Sequence, residues 1–117
     1  MAAGDVTIIR DIELGRSGSR LIVGTVTLDG GNPTPVQLSG YLSSLDMGVV
    51  SFNSTAAPDA DPNSVTCAVS GGTVLDVYAW KVTTGGAAGN PTEIASTNNT
   101  VLVAFMAIGA GKPPKVT

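Results

Sequence analysis

Short β-branched runs, each closed by glycine, proline or asparagine, constrain this chain more than anything else in it. With 15 glycines and 7 prolines in 117 residues, breakers interrupt the sequence too often for a convincing long helix. The sharpest local signal lies in the middle. Residues 64–70 alternate polar and apolar, meet Gly71-Gly72, and continue as a β-rich run over residues 73–82. Two glycines between two such runs predict a tight hairpin, because the turns that suit paired strands need positive φ.

The rest of the chain follows the same style. Residues 6–12 alternate, and a polar connection through Gly15, Ser17 and Gly18 leads to a strong strand over 20–28, with Gly24 as a bulge or close-contact point. Asp29-Gly30-Gly31-Asn32-Pro33 is a turn. Residues 36–47 are undecided: Leu38, Tyr41, Leu42 and Leu45 suit one helical turn or a compact loop. A short strand is expected over 49–52, then a loop to residue 63, where Pro58 and Pro62 exclude ladder pairing, and a glycine-rich loop over 83–91. Residues 101–108 are apolar on both faces, as in a central strand or one partly covered by a neighbouring subunit. About seven strands predict an all-β fold, a β-sandwich of jelly-roll-like form, with flexible or extended termini. One domain is expected over residues 1–109, with 1–5 as a possible N-terminal arm and 110–117 as an extended tail.

Composition narrows function. There is no histidine, and six basic residues against nine acidic ones give a net charge of −3. Acid–base catalysis near neutral pH is poorly served, and nucleic acid lacks the basic footprint it needs. No enzyme activity and no cofactor are expected. Cys67 is alone, so no disulfide forms within the chain, and its place in an alternating run predicts a small buried hydrophobe. The first five residues carry neither a basic start nor a long apolar stretch, and residues 101–108 are too short to span a bilayer as a helix. The expectation is a chain made in the cytoplasm without a secretory leader or membrane anchor.

Several motifs invite chemistry and fall short of it. Asp59-Ala60-Asp61-Pro62-Asn63 begins like a calcium loop, but the expected glycine is missing and Ser70 stands where the closing glutamate belongs. Asp59 and Asp61 are thus a weak metal candidate, set against a solvated acidic loop. The serines of residues 15–19 miss the nucleophile-elbow spacing, and no histidine is present to activate them. Gly109-Ala110-Gly111-Lys112 is followed by Pro113, not by the hydroxyl residue of a phosphate loop. Asp76, Tyr78 and Trp80 share one face of a strand. They read as a sugar-stacking platform or, more plainly, as an outer sheet face or subunit contact. Asn53-Ser54-Thr55 and Asn98-Asn99-Thr100 fit the glycosylation pattern, which without a leader marks only surface loops.

The order of elements carries a resemblance. A run Leu21-Ile22-Val23-Gly24-Thr25-Val26-Thr27-Leu28-Asp29 precedes a Gly/Pro turn, then Leu42-Ser43-Ser44-Leu45-Asp46. A hairpin follows whose second strand holds Val77-Tyr78-Ala79-Trp80, and the last strand reads Val101-Leu102-Val103-Ala104-Phe105-Met106-Ala107-Ile108-Gly109. Over residues 20–109 this resembles small virion proteins of tailed bacteriophages, notably capsid decoration (cement) proteins. The resemblance implies a non-catalytic virion protein on the outer surface of the head. Its partner would be the major capsid protein, bound as a homo-trimer or three-fold cluster, with terminal arms helping to clamp the shell. The interface residues expected on this basis are Val101, Val103, Phe105, Tyr78, Trp80, Lys112 and Lys115. The alternative is a tail or head-fibre domain binding host-surface glycans through Tyr78 and Trp80.

Overall fold

The structure, a computed structural model, describes residues 3–14, 18–53, 62–83 and 92–111. Among them there are eight strands and no helix: β1 (Val6–Leu14), β2 (Ser19–Thr27), β3 (Thr34–Gln37), β4 (Leu42–Phe52), β5 (Ser64–Val69), β6 (Val74–Thr83), β7 (Thr92–Ala95) and β8 (Leu102–Gly111). They form two antiparallel sheets. Sheet A runs β1-β2-β8-β4; sheet B runs β3-β6-β5, with β7 also paired to β6. The expected all-β fold of two packed sheets is what the chain adopts. Within sheet A, β1 and β2 pair as sequence neighbours, and β8 lies between β2 and β4.

Alternation builds the core. In sheet A, Ile22, Val26, Val103, Phe105 and Ala107 point inward; in sheet B, Val36, Leu75, Val77 and Ala79 face them. Leu28, Leu38, Leu42 and Leu45 close the remaining sides. Valine, leucine and isoleucine fill the space between layers, and Phe105 is the largest fully buried side chain. Glycine makes two tight approaches possible. A Cβ on Gly24 would strike the Thr7 carbonyl oxygen and sit 3.0 Å from Phe105 Cζ. One on Gly48 would lie 2.6 Å from Leu75 Cδ1 of the opposing sheet. Gly24 is thus the close-contact point expected; the bulge lies opposite it, between Ile8 and Arg10 of β1.

The Gly71-Gly72 hairpin forms as read, with φ of 52° and 65° and Ser70 N–H donating to the Val74 carbonyl at 3.1 Å. The undecided stretch resolves into β3, a turn, and the first half of β4. The turn is closed by Tyr41 and Leu42 amides donating to the Leu38 carbonyl at 3.0 and 2.9 Å. β4 is longer than the expected run over 49–52, because register shifts after Leu42 and after Leu45 break its alternation. β7 falls between the expected glycine-rich loop over 83–91 and the last strand, where no element was expected.

Asn32 and Ser96 stitch the gap between β3 and β7 on one edge of β6. Asn32 Oδ1 accepts from the Ala79 amide at 2.9 Å, and the Ser96 amide donates to the Ala79 carbonyl at 2.8 Å. Both backbone groups of Ala79 are therefore paired where no continuous strand runs alongside. At the chain ends the expected boundaries shift. Ala110 and Gly111 belong to β8, where they face Ser44 and Leu42, and are not part of a tail. Gly4 N–H donates to the Thr27 carbonyl at 2.8 Å and Asp5 accepts from Thr27 N–H at 3.0 Å, so these residues already extend the β2 pairing.

Candidate functional site

Strand register lays two complete rows of side chains across the outer face of sheet A. One is Ile12–Leu21–Ile108–Met47; the other is Arg10–Val23–Met106–Val49. Seven of these eight positions are apolar, and they face away from the core because Ile22, Phe105 and Ala107 occupy the inward positions between them. Met47 is 53% exposed, Val49 51%, Met106 43% and Ile12 42%. Leu21, Val23 and Ile108 are half-buried by their neighbours. Shallow hollows of about 170 and 210 Å³ run along this band, the first bounded by Met47, Val49, Met106 and Ile108, the second reaching Val23 and Ala104.

The band has polar margins. On one side lies the row Thr7–Thr25–Ala104–Ser51; on the other, Leu14–Ser19–Ala110–Ser44. Arg10 is the single charge within the two rows and stands at a corner, on edge strand β1. Its Nη1 donates to the Ile9 carbonyl at 2.9 Å, and no ion pair holds it among the described residues. The exposed hydroxyls of Thr7, Ser51 and Ser44 border an apolar centre, with Leu14 exposed among them, and the two methionines make that centre adaptable in shape. Water-exposed apolar area of this continuity marks a binding face more often than chance decoration.

The outer face of sheet B is different in kind. Tyr78 and Trp80 lie parallel, ring centroids 6.0 Å apart and planes within 11°. Trp80 Nε1 donates to Thr66 Oγ1 at 2.9 Å, which fixes the indole from the neighbouring strand. Both rings are half-buried, and Asp76, next on the same face, is only 8% exposed between Pro35 and Ala68.

The expected interface set therefore divides. Val103 and Phe105 are fully enclosed, at 0% and 1% exposure, since they are the inward half of β8. As contacts for another subunit they are corrected: the outward half of the same strand, Leu102, Ala104, Met106 and Ile108, is what another protein can touch. Val101 is half-buried against the core. Tyr78 and Trp80 do come together, on the sheet opposite the band. Lys112 and Lys115 lie outside the described residues, as do Asp59 and Asp61. No grouping of three or more potential metal ligands occurs among the described residues.

The band itself was missed in the sequence. Its signal was present, because residues 101–108 are apolar at odd and even positions alike. Deciding which half faces outward needs the ladder to β2 and β4. Cys67 is half-buried, its Sγ 3.3 Å from the Gly48 carbonyl oxygen across the sandwich, and burial pushes its thiol pKa up. It belongs to the packing between β4 and β5.

Comparison with family models, curated proteins and solved structures finds no match to this chain.

Proposed function

We propose that this chain is a capsid decoration protein of a tailed bacteriophage, a non-catalytic virion component that binds the outer surface of the head between coat subunits and stabilises the shell. The observation that carries the reading is the apolar band on sheet A, an exposed face on a two-sheet β-scaffold. The resemblance of the sequence runs over residues 20–109 to decoration proteins supports the same reading. A band of this size supports only a weak single contact. Repetition over a lattice, with copies clustered at three-fold sites, turns weak contacts into firm attachment.

Titrating purified chain against expanded heads tests the proposal. Saturable binding and a higher melting temperature of the heads are expected, and both are lost when Met106→Lys and Val49→Lys put charge into the band. Unchanged binding by the folded double variant overturns the choice of face; no binding by the natural chain overturns the function.

A second reading has its own observation, the parallel Tyr78 and Trp80 rings on the outer face of sheet B. A pair of aromatic rings on an outer sheet face suits a glycan, as in a fibre domain recognising a host surface. In that case Trp80→Ala abolishes retention on host polysaccharide while leaving head stability unaffected.

A further inference from the structure

We propose that, off the particle, the outer face of sheet A is covered by a second copy of this chain in a two-fold, sheet-on-sheet dimer. This rests on the docking-face reading above and adds what occupies that face before a coat subunit does.

The rows are arranged to meet themselves. A two-fold axis parallel to the strands and passing between β2 and β8 reverses the order β1-β2-β8-β4, so β1 lies over β4 of the second copy and β2 over its β8. Each row then faces its own reverse. Ile12 comes opposite Met47 and Leu21 opposite Ile108 in one row; Val23 comes opposite Met106 in the other. What this chain contributes is that every facing pair in the two rows is apolar on both sides except Arg10 with Val49, as a two-fold contact requires. Arg10 falls opposite Val49 at the edge of the face, where its stem can cover apolar surface while the guanidinium reaches water. Thr7, Ser51 and Ser44 lie at the margins of the contact.

Area sets the strength. Four strands about 4.8 Å apart, each about nine residues long, outline a face of roughly 19 by 30 Å. Two such faces remove about 1,100 Å² from water, just above the lower limit for a specific interface and short of the usual size of about 1,600 Å². The dimer is therefore weak and exchangeable. It masks the band in solution and yields it to a coat subunit during assembly.

Analytical ultracentrifugation of the full chain, from about one to several hundred micromolar, tests this. The mass should rise from 11.7 kDa towards twice that value and no further. Met106→Lys and Val49→Lys should each move the midpoint at least about tenfold higher. Ala68→Lys, on the outer face of sheet B, should leave it in place; circular dichroism and melting temperature confirm that every variant is folded. A chain that stays monomeric, a mass that grows to a trimer, or a dimer indifferent to the two band variants or lost equally in Ala68→Lys overturns the inference. Head binding measured alongside separates the two claims. A monomer that binds heads through the band leaves the docking reading intact, whereas a band-dependent dimer with no affinity for heads overturns that reading alone.

Discussion

Phe105 and Met106 sit back to back across sheet A, the first 1% exposed in the core and the second 43% exposed on the outer band. Neighbours in sequence, they serve different ends: one holds the sheets together, the other faces whatever binds. Phe105→Ala should cost about 3–5 kcal/mol, the range for emptying a buried aromatic site. Met106→Ala in the monomer should cost within about 0.5 kcal/mol. Urea denaturation of dilute protein checks both, and a comparable loss at the two positions would show that sheet A is covered on both sides within one chain.

Gly48 leaves the space that Leu75 fills from the opposing sheet. Adding one methyl there forces the two layers apart or drives Leu75 off its rotamer. Gly48→Ala should destabilise by about 1–3 kcal/mol, read as a melting temperature lowered by several degrees. An unchanged melting temperature would mean that the sheets do not meet at this point.

Asn32 supplies the acceptor that keeps the Ala79 amide paired between β3 and β7. Removing it leaves a part-buried donor without a partner. Asn32→Ala should cost about 1–3 kcal/mol by thermal or urea unfolding, and Asn32→Asp, which retains an oxygen acceptor, should cost less. Equal losses would assign the role of Asn32 to its amide nitrogen instead.

Burial raises the Cys67 thiol pKa, which disfavours the thiolate that reacts with disulfide reagents. Labelling at pH 8 should be slow in the folded chain and speed up in denaturant. The sign for stability follows. A folded pKa above the unfolded one stabilises the neutral state, so this contribution is present below the ordinary thiol pKa and is lost as pH rises through the folded value. Rapid labelling of the native chain would place Cys67 in water.

Much of this was legible because the local signals agree with the global fold. Gly71 and Gly72 announced the β5–β6 hairpin, and the β-rich runs of β2, β5 and β6 announced the strands themselves. β4 was only half-legible: two register shifts spoil its period of two, so Leu42 and Leu45 mimic helical spacing. β3 and β7, four residues each, are too short for periodicity to speak. The contact face failed for a related reason. Val103 and Phe105 read like Met106 and Ile108 in sequence, and only pairing with β2 and β4 separates the inner half from the outer.

The central claim is that this chain is a repeated part of a phage head. Quantitative peptide mass spectrometry of particles purified from the source of this chain, scaled to the major coat protein, tests that most directly. A simple ratio to the coat protein, with the chain present at every lattice repeat, is the predicted result. A handful of copies per particle would move it to the tail or a fibre, and absence from the particle would contradict the virion role altogether.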